Sequence, residues 1–274
     1  MKLYHYTTFE ALLGILKEQK KEDDKVPLKQ KDQVYFWGTR YDSLNDPRDY
    51  IFARDIIIPE IKQIIKREGI PDTEIDDVEF YPYIVSFSEL GDNLNMWRLY
   101  HSEVCIEIDG DRLLDECNKK GILFGKCEYV NEEKEEILKA ISKIHNGLNI
   151  DDEKLLDRIR ECSAFVKHRT YESEAEYRII KSDFEGAIFH SEGPSLYTMR
   201  DQEIPQEVNV KCVNNKDIIL YKEFTFNTDV VKGIIVCEQS DGKFQKIKKH
   251  LELVLFDRGY KDVLIEKTKT YYNE

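Results

Sequence analysis

Apolar residues recur along the chain with two periods, and the changes between them sketch a mixed fold. Leu3 to Tyr6 reads as a short strand. Thr7-Thr8-Phe9-Glu10 then has the form of a capping box, with Thr7 at the N-cap and Glu10 three residues on. The spacing of Ala11, Leu12, Ile15 and Leu16 predicts a helix over Phe9 to Lys20 with one apolar face. Glu18 to Gln33 is almost wholly charged or polar and reads as a solvated loop. Val34 to Thr39 is a second strand, followed by the turn-rich Ser43-Leu44-Asn45-Asp46-Pro47. An amphipathic helix runs from about Tyr50 towards Arg67, broken or kinked at Pro59.

Further along, Tyr83 to Ser88 and Val104 to Ile108 read as strands, with a short helix Leu94 to Tyr100 between them. Asp111 to Lys120 is expected to be helical and Ile122 to Val130 a strand. Glu132 to His145 and Asp151 to Lys167 form a helical pair joined through Asn146-Gly147, whose glycine suits a C-cap. Glu174 to Lys181 returns to strand, and the Gly, Pro and Ser content of residues 183–206 predicts a long loop. Strands at Ile218 to Phe226, Gly233 to Cys237 and Val263 to Glu266, with a helix over Asp241 to Phe256, complete the chain. Strands and helices mix without regular βαβ alternation. The expected class is therefore α+β, in one domain over residues 1–274, with a helical insertion at about 132–167 between sheet halves.

Composition narrows the function classes. Of 274 residues, 41 are Lys or Arg and 54 are Asp or Glu, for a net charge of −13, which argues against a general nucleic-acid binder because phosphate affinity is built from clustered cations. Lys243, Lys246, Lys248, Lys249 and His250 do cluster, but as the solvated face of a late helix. No stretch approaches the ~20 apolar residues of a membrane-spanning helix, and the polar opening lacks a secretory h-region. The six cysteines lie 10 to 50 residues apart with no CxxC pair, which fits neither a zinc knuckle nor a disulfide framework. A soluble cytoplasmic protein is expected.

Phosphate-loop, Gly-x-Gly-x-x-Gly, His-Glu-x-x-His and Gly-x-Ser-x-Gly signatures are all missing. Four other constellations stand out. In Tyr4-His5-Tyr6-Thr7, strand alternation puts His5 and Thr7 on one side and Tyr4 and Tyr6 on the other, just before a helix N-terminus whose N–H groups suit a phosphate or ribose oxygen. The plainer alternative is a histidine bonded to a neighbouring loop. In Glu172-Ser173-Glu174-Ala175-Glu176-Tyr177-Arg178, a strand would project Glu172, Glu174, Glu176 and Arg178 from one face. Crowded carboxylates shift one another's pKa, and a fixed carboxylate beside an arginine suits a developing oxocarbenium ion. The alternative is a solvated outer face. Ser43 to Asp49 could grip a cation but equally makes a turn, with Arg40 and Asn45 facing a pocket. Ser86, Ser88, Met96, Trp97 and Tyr100 combine hydroxyls and aromatics that suit a flat heteroaromatic ligand, although Trp97 is also ordinary core.

Taken in order, Tyr4 to Thr7, Leu44 to Pro47, Ser86 to Ser88 with Trp97-Arg98-Leu99-Tyr100, and Glu174 to Arg178 resemble a bacterial family of unknown function. Asp49 and Tyr171 depart from its pattern, which has Glu and Trp there. The opening also resembles the first strand and helix of ADP-ribosyltransferase folds. That resemblance implies a split-sheet core, NAD as substrate and no metal. It places His5 and Thr7 on the NAD ribose; Tyr35, Trp37 or Tyr41 against the nicotinamide with Ser86 and Ser88 nearby; and Arg178 or Arg40 on the pyrophosphate. Glu176 would orient the 2′-hydroxyl and stabilise the oxocarbenium ion, and Glu174 would position an acceptor, macromolecular or small. The expectation is an ADP-ribosyltransferase-like enzyme or NAD glycohydrolase, such as a toxin or antiphage effector. Two others compete with it: a non-catalytic ligand-sensing or interaction module on the same cleft, and a metal-dependent nuclease built from Asp46, Asp49, Glu174 and Glu176.

Overall fold

A computed structural model describes residues 1–16, 33–44, 48–68, 78–147, 161–186, 209–213 and 217–270. Its strands are β1 Lys2–Thr7, β2 Gln33–Arg40, β3 Val78–Ser88, β4 Val104–Asp109, β5 Leu123–Lys126, β6 Glu128–Val130, β7 Val166–His168, β8 Glu176–Gly186, β9 Asn209–Val213, β10 Asp217–Asn227, β11 Val231–Val236 and β12 Leu264–Lys267. Its helices are α1 Phe9–Ile15, α2 Arg48–Glu68, α3 Leu94–Leu99, α4 Gly110–Lys119, α5 Lys134–Gly147 and α6 Asp241–Asp257. The class is α+β, with one large mixed sheet flanked by helices.

That sheet forks at β3. Along one edge β3 pairs with β8 over its whole length. On the other edge Ser88 pairs with Tyr4 of β1, whereas Ile84 and Tyr83 pair with Thr39 and Arg40 of β2. One arm then runs β1-β4-β11-β12 and the other β2-β10-β9, so the sheet is split between β1 and β2. Only β12 is parallel to its neighbour in the large sheet; β6 and β7 form a separate parallel pair.

The two faces are packed differently. One is a continuous apolar core of Leu3, Phe36, Phe87, Ile106 and Ile234 under α1, α4 and α6. On the other, α2, α5 and the β6–β7 pair cover Ile84 and Ile180, while α3 covers Tyr6 and Cys105 through Met96 and Trp97. Between those two smaller cores the split lies open.

Several expectations shift by register or cap. The α1 cap is Thr8 rather than Thr7: its hydroxyl accepts the Ala11 N–H at 3.2 Å, because β1 runs through Thr7. The strand expected over Ile122 to Val130 breaks at Cys127, whose N–H turns to the Glu176 carbonyl, giving β5 and β6. The helical insertion ends in a strand, β7, where a helix to Lys167 was expected; residues 148–160 lie outside the described residues. α2 passes through Pro59 without ending there. β8 starts at Glu176, not Glu174, and β9 falls in a stretch given no element from sequence.

Candidate functional site

The split holds a cleft of about 160 Å³, lined by Tyr4 and Tyr6 of β1, Trp37 and Thr39 of β2, the β3 segment from Ile84 to Ser88, Met96 and Tyr100 of the α3 region, and Glu174 and Glu176; His5 and Leu44 complete the lining. An apolar cavity of about 150 Å³ holds a benzene ring, so this one admits a single ring-sized group.

Alternation explains the lining. Tyr4 pairs with Ser88, Ile84 with Thr39, and Ser88, Ser86 and Ile84 with Glu176, Arg178 and Ile180. Directly opposed residues share a face, so Tyr4, Ser86, Ser88, Thr39, Glu176 and Arg178 stand on the cleft side. His5 belongs to the opposite face, packed edge-on against Phe36 (5.5 Å between centroids) and tilted on Phe87 (5.6 Å). It reaches the cleft because no strand fills the fork there, and its Nδ1 lies 2.9 Å from the Ser86 carbonyl oxygen. A carbonyl only accepts, so Nδ1 carries the proton, and in the neutral ring Nε2 is an acceptor.

The acidic segment is not the strand expected from sequence. Arg169–Glu174 is a 3₁₀ turn ending at Ala175 in the left-handed region (φ 44°, ψ 53°). Glu172 is left exposed on that turn and takes no part. The kink brings Glu174 and Glu176 onto one ammonium: Lys167 Nζ donates to Glu174 Oε2 at 2.8 Å and to Glu176 Oε2 at 2.5 Å. Arg178 closes on Glu176 from the other side, Nε to Oε1 at 2.9 Å and Nη2 to Oε2 at 3.2 Å, while its Nη1 donates to the Ala164 carbonyl at 2.6 Å. The Tyr100 hydroxyl donates to Glu174 Oε2 at 3.1 Å. Ser88 Oγ anchors the turn through the Glu174 carbonyl at 2.6 Å, and Tyr129 Oη accepts the Glu176 N–H at 2.7 Å.

The two carboxyls are thereby pushed apart in acidity. Burial raises the pKa of Glu174, and Lys167 offsets that rise only in part. Burial opposes ionisation of Glu176 too, but Arg178 and then Lys167 overcome it and hold the group at about 2. Divergent carboxyls at one site are the arrangement by which acid–base and electrostatic roles are divided. Both oxygens of Glu176 are occupied by cations. Glu174 Oε1 accepts no hydrogen bond from the described residues and is the carboxylate oxygen left for a ligand. Burial also pushes the Tyr100 hydroxyl up, keeping it a proton donor at neutral pH.

Of the residues singled out from sequence, Glu174, Glu176, His5, Trp37, Ser86 and Ser88 line the cleft. Arg178 is on the cleft face but sealed behind Glu176. Thr7 is at the end of β1 opposite Val104, and Tyr35 bonds Gln33 at 3.2 Å. Arg40 grips Asp42 in two hydrogen bonds, 2.8 and 2.6 Å, and Tyr41 stacks on Tyr50 and meets Arg54. None of these five is part of the lining described. Asn45, Asp46 and Pro47 lie outside the described residues, as does the side chain of Asp49. Lys167 holds the place between Glu174 and Glu176 that a metal shared by a nuclease pair would need.

Sequence reasoning missed Lys167, which it placed at a helix end, and left Thr39, Tyr129 and the Tyr4/Tyr6 side out of the site. The available signal for Lys167 was a cation directly after the apolar run Ala164-Phe165-Val166, a context in which a buried ammonium needs carboxylate partners. No helix among the described residues is long and apolar enough to cross a membrane. No curated protein and no solved structure matches the chain. Residues 96–179, from α3 into β8 and so including Tyr100, Lys167, Glu174, Glu176 and Arg178, match the model of a family described as protein of unknown function (DUF2971).

Proposed function

We propose that the chain is an enzyme of glycosyl transfer that breaks the bond between a ribose carbon and a nicotinamide ring nitrogen, with NAD as substrate. The observation that carries this reading is Glu174: a buried carboxyl whose pKa is raised by burial, lining an aromatic-lined cleft beside a second carboxyl that stays ionised. The resemblance of β1 and α1 to ADP-ribosyltransferase folds, and the sheet split at that strand, support it.

In this chemistry the bonding pair stays with the ring nitrogen, so the pyridinium leaves as neutral nicotinamide and positive charge develops on the sugar carbon and ring oxygen. Fixed negative charge from Glu176 stabilises that cation. An incoming hydroxyl, from water in hydrolysis or from an acceptor in transfer, bonds the sugar carbon and gives its proton to Glu174 Oε1. Glu174 is therefore the catalytic residue, and Glu176, with Lys167 and Arg178, supplies the field and positions it.

Incubation with labelled NAD tests the proposal. Wild type should release nicotinamide, and Glu174→Gln should lower the rate by about 100-fold or more. Absence of nicotinamide release by folded wild type would overturn it. A second reading has its own observation: Glu176 and Arg178 spend their polar atoms on each other and their neighbours, as in a structural pair. On that reading the module senses a ligand without turnover, and Glu176→Gln costs stability while binding persists.

A further inference from the structure

We propose that the cleft recognises a flat organic cation, reading the positive charge of a heteroaromatic ring rather than the phosphates of a nucleotide. The inference rests on the function proposed above and narrows its substrate class.

The aromatic residues Tyr4, Tyr6, Trp37 and Tyr100 are among those lining a space of about 160 Å³. Aromatic faces attract cations, more strongly when both are withdrawn from water. Glu174 and Glu176 line the same space. Among the described lining residues there is no lysine or arginine. Lys167 and Arg178 sit behind the carboxylates, their side chains 3% and 1% exposed. With both carboxyls ionised the group of four is charge-balanced, and it turns its negative end to the ligand. His5, also in the lining, directs its Nδ1 hydrogen bond to the Ser86 carbonyl oxygen. A phosphate placed here would meet carboxylates and the neutral hydroxyls of Ser86 and Thr39, with no cation to hold it. A charged ring meets aromatic walls and the carboxylates of Glu174 and Glu176.

This has a consequence for turnover. The ring enters as a pyridinium cation and leaves neutral once the C–N bonding pair returns to its nitrogen. The attraction that holds the substrate is thus lost by the product, which favours release.

Isothermal titration of the full chain with two probes tests the proposal: 1-methylnicotinamide, methylated on the ring nitrogen and so a permanent cation that cannot be cleaved as a glycoside, and neutral nicotinamide. The cation should bind at least about tenfold more tightly, and Glu174→Gln, which keeps the side chain's shape, should reduce that preference to less than about threefold. Inorganic pyrophosphate should not compete. Equal affinity for the two probes, binding of neither, or competition by pyrophosphate would overturn the inference. If Glu174→Gln fails to fold, the wild-type preference alone decides. Nicotinamide release from NAD without a preference for the cation would leave the proposed function standing and remove this inference; preference for the cation without release would do the reverse.

Discussion

On the face covered by α1, α4 and α6, the large sheet buries Leu3, Phe36, Phe87 and Ile106 against apolar helix residues. On the opposite face, a few ångströms away through the same strands, it buries two carboxylates, an ammonium and a guanidinium around an open cleft. The first face is held by loss of apolar surface from water, which is insensitive to pH. The second depends on charges whose desolvation cost is met only while every partner is present. The contrast separates what builds the fold from what the fold was shaped to hold, since replacing buried ion groups by hydrophobic residues of similar volume is often neutral or stabilising.

Truncation should show the difference most strongly. Arg178→Met strands Glu176 in the interior and is expected to cost about 3–5 kcal/mol. Phe36→Ala on the other face should cost a similar 3–5 kcal/mol through a cavity. The two are distinguished by rescue: adding Glu176→Gln to Arg178→Met should restore part of the loss, so that denaturant melts show strong non-additivity, whereas Phe36→Ala combined with Glu176→Gln should be additive.

The pH dependence sharpens the comparison. Glu176 is held at about 2 against an ordinary 4.5, so its contribution is fully present above 4.5 and is lost as pH falls from there towards 2. Glu174 has the opposite sign: its raised value favours the protonated fold, a contribution present below 4.5 and lost as pH rises through the raised value. Thermal melts should therefore fall steeply below pH 4.5 in wild type and in Phe36→Ala, and less steeply in Glu176→Gln.

Glu174→Gln should be milder for stability, within about 1.5 kcal/mol, because burial already disfavours the charge it removes. Equal melting temperatures near pH 5 alongside a large loss of nicotinamide release would mark Glu174 as a residue kept for chemistry. The smallest effect is expected at Ala175, whose φ of 44° is a conformation that glycine adopts without strain. Ala175→Gly should change stability by no more than about 1 kcal/mol, towards greater stability, in chemical denaturation.

Much of this architecture was legible in the chain because period decides face. Leu3, Val34 and Phe36 alternate with less buried neighbours, and the α4 and α6 patterns match their helices. The pairing of His5 with Thr7 on one side was also correct as alternation, yet its meaning depended on which side faced the cleft. That is a matter of sheet packing, set by β2 and β1 both joining β3, and no local pattern carries it. The acidic run misled for a related reason. Alternation put Glu172, Glu174 and Glu176 in register, but the 3₁₀ turn and the left-handed Ala175 remove Glu172 and deliver Glu174 by a different path. Local pattern did not identify the partners of Lys167, because they lie 7 and 9 positions away across a turn whose course depends on β6–β7 pairing.

The division of labour between the two carboxyls is the claim on which the account turns, and ¹³C NMR titration of the labelled Glu174 and Glu176 side chains measures it directly. Glu176 should stay ionised down to the lowest accessible pH, and Glu174 should take up its proton above the ordinary carboxyl range. Coincident titration of both at the ordinary value, or protonation of Glu176 before Glu174, would contradict it.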